Sequence, residues 1–341
     1  MPGPLIFITG GTGFIGAHTV LASLEAGYRV RLSIRKPEQE ATIFERYPNF
    51  ASNIETVLIT DFSNPDSFKK ALGGVEYVFH LASPMPGAGT DVRKDYVEPA
   101  VDATLSVLKA ALDFEEIKTL IVMSSVVALL PADTLTRIGE DIHAKDNTGD
   151  VIPVDLDRDF PPDLFGHAVR YASSKILAHQ ATRDFLSQQR PHYKLLTLHP
   201  AYVMGNDLTQ TTAEGLGGIN GMFFMSLGSE KPILGTAWVH VKDIAEAHVR
   251  AIQSEVDTGK EFLLSGPPFP WEDAIEYVKE KYPDLEVKLA PPFEGRWSAD
   301  VSFAEKVLGM KWRSKESILD DLIGQQLQLR AQTGGAGDAK I

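Results

Sequence analysis

The five residues Tyr171-Ala172-Ser173-Ser174-Lys175 put a phenol and an ammonium four positions apart. On a helix that spacing sets both groups on one face, one turn from each other. A free phenol, with a pKa of about 10, is a poor acid–base group near neutrality. A neighbouring ammonium stabilises the phenolate and so makes the phenol usable as a proton donor. Ser125 follows an apolar run and adds a hydroxyl that can hydrogen-bond a substrate oxygen beside the phenol. A Tyr and a Lys at this spacing are also common in helices that do no chemistry. A second motif gives the pair its weight.

That motif is Gly10-Gly11-Thr12-Gly13-Phe14-Ile15-Gly16, set directly after the apolar run Leu5–Thr9 and before a helical pattern that reaches Ala26. Glycines at these points let the backbone turn tightly and approach a pyrophosphate without intervening Cβ atoms. The helix amino terminus then offers unpaired N–H groups and a partial positive charge. Thr9 through Gly16 therefore predict a dinucleotide site. The next strand ends in Arg31-Leu32-Ser33-Ile34-Arg35-Lys36, with no acid before Glu38. A carboxylate here would bind a ribose 2′-hydroxyl, whereas Arg35 and Lys36 suit a 2′-phosphate. The cofactor expected is NADPH or NADP. A solvated basic turn is the bland alternative. Asp61, past the third strand, either meets the adenine amine or caps a turn.

The elements that must hold these groups alternate. Strands are predicted at Leu5–Thr9, Tyr28–Ile34, Ile54–Ile59, Val75–His80 and Thr119–Met123, with a helix showing Val97, Val101, Leu105 and Leu108 on one face. Strand–helix alternation implies right-handed crossovers and a parallel sheet covered on both faces, a doubly wound α/β fold of Rossmann type. Residues 126–166, with four prolines and many aspartates, read mostly as loop, and so long a loop is usually functional. A helix is expected from His167 to Gln189 and a strand at Leu195–His199. Residues 202–235 leave the sheet to cover a ligand, and Trp238–Val241 with the helix Asp243–Ser254 return to it. The domains expected are a dinucleotide-binding unit of residues 1–201 and 236–254, a smaller substrate lobe of 202–235 and 255–330 with helices at Trp271–Tyr282 and Ser314–Arg330, and a flexible tail of 331–341.

Composition narrows the function classes. The chain has 341 residues, 43% hydrophobic and 23% charged, ordinary for a globular protein. Its formal charge of −13 argues against nucleic acid or anionic membrane as partners. The absence of cysteine excludes disulfides, thiolate metal sites and a cysteine nucleophile. No apolar run approaches the roughly 20 residues of a membrane-spanning helix, and Met1-Pro2-Gly3-Pro4 does not read as a signal peptide. A cytoplasmic location is expected. The terminal Ala339-Lys340-Ile341 loosely matches a peroxisomal address, which leaves that compartment as the alternative.

Taken in order, Thr9–Gly16, His80-Leu81-Ala82-Ser83-Pro84, Ser124-Ser125, Tyr171–Lys175, His199-Pro200 and Val239-His240-Val241-Lys242-Asp243 resemble the extended short-chain dehydrogenase/reductase family over about residues 1–330. The resemblance is to the branch of dihydroflavonol, cinnamoyl-CoA and yeast-type carbonyl reductases. It implies a seven-stranded Rossmann domain with a carboxyl-terminal substrate lobe, and hydride transfer with Ser125, Tyr171 and Lys175 in the roles above. It also implies that Phe62, Leu81, Ala82, Ser83, Pro200 and Val203 line the cofactor. Pro84, Val126, Val127, Tyr202 and Met222 are the expected substrate contacts. The partner is then a small-molecule carbonyl compound, and the chain a monomer or homodimer. The chain departs from the branch in two ways. The cinnamoyl-CoA signature N-W-Y-C-Y-G-K is absent, and residues 98–105 hold no asparagine for the wider family's proton relay.

Other functions share this fold. A dehydratase places acids after its catalytic serine or threonine, whereas Val126-Val127-Ala128-Leu129-Leu130 is apolar and makes a greasy pocket wall. An epimerase holds NAD, against which Arg35 argues. A hydroxysteroid-type dehydrogenase stays open, as does a dinucleotide-sensing regulator without catalysis, which usually loses the Tyr or the Lys. No metal site is expected. Asp150, Asp155, Asp157, Asp159 and Asp163 lack the spacing of a calcium loop and read as a solvated face.

Overall fold

A computed structural model describes residues 3–83, 89–137 and 139–332. Seven parallel strands form the main sheet: β1 Leu5–Thr9, β2 Arg29–Ile34, β3 Ile54–Leu58, β4 Tyr77–His80, β5 Thr119–Met123, β7 Lys194–Pro200 and β10 Glu261–Leu264. Between them in the chain come β6 Ile142–Lys145, β8 Tyr202–Met204 and β9 Trp238–His240, and after them β11 Trp297–Asp300. The order across the sheet is β10-β7-β5-β4-β1-β2-β3. Chain direction in space reverses at β1 and β4, and a ligand crevice opens at the carboxyl ends of strands at such a switch point.

Fully buried apolar strands demand cover on both faces. One face is closed by helices α1 Phe14–Glu25 and α7 Val241–Gln253, whose Val20, Leu24, Ile244 and Ala247 join Ile6, Ile8 and Leu32 in one core. The other takes α3 Asp66–Leu72, α4 Glu98–Ala111 and α5 Leu164–Gln189, with Phe68, Val107 and Phe185 packed on Phe7 and Val78. Helix α2 Gln39–Arg46 flanks β2 and β3. A third core, around Phe223, Trp238, Trp271 and Leu319, belongs to the lobe built by α6 Gly218–Leu227, α8 Trp271–Lys281 and α10 Lys315–Gln332. Helix α9 Ser302–Leu308 leads back to the sheet, where Ala304 and Leu308 enter the first core.

Two expectations are corrected here. Trp238–His240 does not return to the main sheet: β9 pairs with β8 in a separate two-stranded ribbon, register Tyr202 opposite Trp238. The Trp238 indole packs at right angles to Trp271 in the lobe core, and this holds the strand there. The seventh strand is β10, which the sequence reading assigned to the lobe; its four residues are buried and pair with β7. The segment 126–166 is also more ordered than loop. It contains short helical turns at Val126–Leu129 and Thr134–Thr136, and β6 pairs with β11. Asp163, from the acidic run, caps α5 by accepting the Gly166 N–H at 2.8 Å. Among the described residues no helix is long and apolar enough to cross a membrane. The tail and its terminal tripeptide lie outside the described residues.

One buried charge in the lobe has a measurable consequence. Lys315 at the start of α10 is 5% exposed, and burial lowers its ammonium to about 7. Its Nζ donates to the Trp238 carbonyl, which also accepts the Gly266 N–H at 2.8 Å. An unfolded lysine titrates near 10.4, so between about pH 7 and 10 the unfolded chain binds more protons than the folded one. Stability should therefore rise with pH through that window. Lys315→Met leaves the Trp238 carbonyl with its Gly266 partner, and we expect it to raise the melting temperature at pH 7 and flatten the rise. Melting curves at pH 7, 8 and 9 test this; parallel curves for both proteins contradict it.

Candidate active site

The amino-terminal motif forms because β1 and β4 run side by side and release their chains together. Thr9 Oγ1 accepts the Ala82 N–H at 3.1 Å and donates to His80 Nδ1 at 2.9 Å. The acceptor role needs a neutral ring, and burial, helped by the Lys175 charge, lowers His80 to about 3. Gly10 then turns with φ +74°, where an added Cβ would stand 2.7 Å from the Ala82 nitrogen. At Gly16 a Cβ would meet the Gly10 carbonyl oxygen at 2.0 Å. Gly13 precedes α1 as its cap, so the helix amino terminus opens onto the crevice. This is a cradle that side chains would fill, and it fits a pyrophosphate.

A cavity of about 670 Å³ runs from this cradle to the join between sheet and lobe. Of the expected cofactor residues, Gly10, Thr12, Gly13, Phe14, Ile15, Gly16, Arg35, Phe62, Leu81, Ala82, Ser83, Pro200 and Val203 line it. Thr9 supports the cradle from beneath. Lys36 and Asp61 are exposed and not on its wall. Asp61 Oδ1 instead accepts both the N–H and the hydroxyl of Ser63, at 2.9 and 2.6 Å, which caps the turn and lowers its carboxyl.

The wall also carries residues that the sequence reading did not single out. Gln39 Oε1 accepts the N–H groups of Arg35 and Lys36 at 2.8 and 3.1 Å, while its amide points to Thr12 Oγ1 at 3.4 Å. This ties the end of β2 to the glycine turn. The Arg35 guanidinium stands 5.5 Å from the Phe62 ring centre, presenting a cation at the cavity edge. Ser33 is buried, lines the cavity, and its hydroxyl has no partner within the protein. Orphaned polar atoms of this kind fit the hydroxyls or phosphates of a bound nucleotide. Gln39 and Ser33 carry no spacing signature; Ser33 lies near the end of β2 and Gln39 opens α2.

At the other end stand Ser125, Tyr171 and Lys175. Helix α5 carries the last two, and its register is fixed at the start. Arg170 donates to the carbonyls of Phe160 and Pro161, both at 3.2 Å, and lies over Tyr96 at 5.5 Å. The Lys175 ammonium is 5.7 Å from the Tyr171 ring centre and donates to Ser83 Oγ at 3.0 Å. It is buried, 8% exposed, and an ammonium in such a place must act on whatever anionic or hydroxyl group faces it. Ser125 follows β5, where its own N-terminal neighbour is pinned by the Ser124 N–H to the Leu198 carbonyl at 2.7 Å. His199 on β7 holds the Ser125 carbonyl through Nδ1 at 3.1 Å, while Nε2 accepts from Thr197 Oγ1 at 2.8 Å. Burial keeps that ring neutral, at about 3, so its tautomer is set by these two partners.

Val126 and Val127, 5% and 2% exposed, line the cavity beside Ser125 in a cluster with Ala172 and Trp297. Tyr202 also lines it, against Trp297 at 5.5 Å, and burial raises its phenol. Met222 packs into the lobe core instead and is not on the wall. Pro84 lies outside the described residues. Gly215, Gly217, Ile219 and Asn220, at the mouth on the lobe side, complete the enclosure.

The sequence model of the NAD dependent epimerase/dehydratase family matches residues 6–264. Ketoreductase sphI of Aspergillus fumigatus is 36% identical over 336 residues, which cover 96% of this chain and 99% of that one. The crystal structure of yeast methylglyoxal/isovaleraldehyde reductase Gre2 complexed with NADPH superposes with a TM-score of 0.81 at 22% identity, covering 96% and 99% of the two chains. Vestitone reductase from alfalfa gives a TM-score of 0.74 at 25% identity over 97% and 99%.

The close approach at Gly16 supplies a direct test of the cradle. We expect Gly16→Ala to fold yet lose the rise in melting temperature that NADP or NADPH confers on the parent, because the new methyl displaces the loop backbone. An undiminished shift contradicts this account. With its glycine cradle, its strand order and these relatives, the chain belongs to the NAD dependent epimerase/dehydratase family.

Proposed function

We propose that this protein is an NADPH-dependent reductase that converts the ketone or aldehyde of a small, largely apolar molecule to an alcohol, with Tyr171 as proton donor. The observation that carries the reading is one cavity with a cation, Arg35, at its nucleotide end and Tyr171, Lys175 and Ser125 beside the apolar Val126–Val127 wall at the other. The name ketoreductase on a relative aligned over nearly the whole chain supports it. Against the epimerase reading stands Arg35 where an NAD site has a carboxylate.

When bound, the reduced nicotinamide supplies the hydride. The chain's residues do the rest. Ser125 Oγ hydrogen-bonds the carbonyl oxygen and holds it beside the phenol. Tyr171 gives that oxygen its proton, and the Lys175 ammonium stabilises the phenolate left behind. Val126 and Val127 keep water away from the carbonyl face, which strengthens these interactions.

Two substitutions test the assignment, read by loss of NADPH absorbance with an aromatic ketone. Tyr171→Phe should lower kcat by roughly 10²–10⁴-fold, the usual worth of a positioned proton donor, with NADPH affinity nearly unchanged. Normal turnover in that variant rules out Tyr171 as the donor. Arg35→Glu should reverse the preference, weakening NADPH and leaving NADH at least as effective. An enzyme that oxidises neither cofactor with any carbonyl compound, yet turns over sugar nucleotides with NAD bound, overturns the reading itself.

A further inference from the structure

Tyr171 and Lys175 begin a series that continues at the same four-residue step with His179 and Arg183. All four lie along one side of α5. His179 is 4% exposed. Its Nε2 lies 3.0 Å from Glu261 Oε1, and Arg183 donates to that same oxygen from Nε at 2.7 Å and Nη2 at 2.6 Å. Glu261 Oε2 accepts the Asn147 N–H at 3.1 Å. Burial pushes the Glu261 carboxyl up, but its bonds from His179 and Arg183 outweigh that and hold it at about 2. An ionised carboxylate only accepts, so His179 Nε2 carries a proton, and Nδ1 is the end of the ring open to exchange.

Nδ1 is buried and has no partner within the protein. The ring borders a cavity of about 20 Å³ whose wall includes Lys175, Ser83, His80, Ser124 and Thr104. A single water needs about 10–15 Å³ and two to four polar partners. The cavity meets both requirements, and it joins the fourth-residue histidine to the catalytic lysine. His179, His199 and Glu261 also bring three ligand atoms within 4.8 Å. A metal ion is not the better reading there, because the Arg183 guanidinium already sits on the Glu261 oxygen and both His199 nitrogens are engaged.

We propose that His179 is the proton store of this reductase, returning to Lys175 through one buried water the proton that Lys175 passes to Tyr171. The inference rests on the reductase reading and fills the place of the absent relay asparagine. The balance is simple. The cycle starts with the His179 ring carrying a proton on Nδ1 as well as on Nε2. Tyr171 gives its proton to the substrate oxygen, Lys175 reprotonates the phenolate, and the water gives a proton to the lysine amine while taking one from Nδ1, which leaves the ring neutral with its proton on Nε2. The imidazole regains its proton from solvent once product leaves. Overall, one hydride and one solvent proton are consumed per carbonyl. The charged and titratable groups facing the ring are Lys175 and Arg183 from α5, His80 from β4, His199 from β7 and Glu261 from β10. Burial holds His80 and His199 neutral, so neither competes for the proton. His179 does not touch the reacting atoms, and it acts as a positioning and relay residue.

The test uses purified full-length protein, NADPH and an aromatic ketone, with kcat, KM and the solvent deuterium isotope effect followed against pH. His179→Leu should lower kcat about tenfold, less than the loss of a direct donor, with both KM values unchanged and a larger solvent isotope effect. His179→Gln keeps the packing and polarity of the site while removing the exchangeable ring nitrogen, and the same rise in isotope effect is expected even if the leucine variant is unstable. Variants that lose thermal stability but keep the parent's isotope effect and pH profile show a purely structural role and overturn the proposal. A parent that oxidises no NADPH with any ketone sinks the reductase reading first, and the relay falls with it.

Discussion

The constraint on which the cleft depends is the close passage of two backbones at the point where β1 and β4 end. Between Gly10 and Ala82 there is no room for a Cβ, and Thr9 bonds to both His80 and Ala82 just beneath. These contacts set the distance between the glycine turn and the Leu81–Ser83 segment. That segment delivers Ser83 to Lys175. The glycine turn and Lys175, from distant parts of the chain, are therefore referred to one strand pair. A wider separation at β1 and β4 would loosen the cradle and shift the lysine together.

From that reference point α5 works as a ruler. At about 1.5 Å of rise per residue, its 26 residues run from the Asp163 cap past Lys175 to Glu261 at the start of β10. Its start is pinned by Asp163 and Arg170, its middle by Ser83 on Lys175, and its far half by Glu261 on His179 and Arg183. Side chains every fourth residue fall on a line, so a single rotation of the helix would misplace all of them. Burying the charges on this line costs desolvation, and each is offset by a specific partner instead of being left to solvent.

The residues that line the cavity are more legible in the sequence than the packing. The glycine turn, the strand-end Arg35 and the Tyr171–Lys175 pair are local signals, in which a few neighbouring residues must obey one geometric rule. What escaped was decided by partners far along the chain. Glu261–Leu264 is too short and begins with too polar a residue to read as a strand of the main sheet; pairing with β7 and the Glu261 contacts to His179 and Arg183 hold it at the sheet's edge. Trp238 lies in an apolar run that suits the main sheet equally well, until Trp271 and Phe223 give its indole a better place. Of the expected stripe Val97, Val101, Leu105 and Leu108, only Leu108 is buried on α4; the other three are half-buried, and Ala100, Ala103, Thr104 and Val107 take the buried positions. Small residues there let α4 come close to its neighbours, and hydrophobicity alone does not predict close approach.

The histidines show the same division at finer scale. His80, His199 and His179 are all buried, and the sequence brings in the first two only as members of family motifs and does not mark His179. Burial without a carboxylate partner holds His80 and His199 neutral, and each then locks one tautomer to fix a backbone: the Thr9–Ala82 turn in one case, the Ser125 carbonyl in the other. His179 alone has a carboxylate, Glu261, on one nitrogen and an unpartnered second nitrogen. A ring with both nitrogens engaged, as in His199, resists proton exchange and serves as scaffold, whereas a ring held by an anion at one end and open at the other is suited to exchange. His199 and His179, chemically identical and with ring centres 4.6 Å apart, are thus given different work by what faces their second nitrogen.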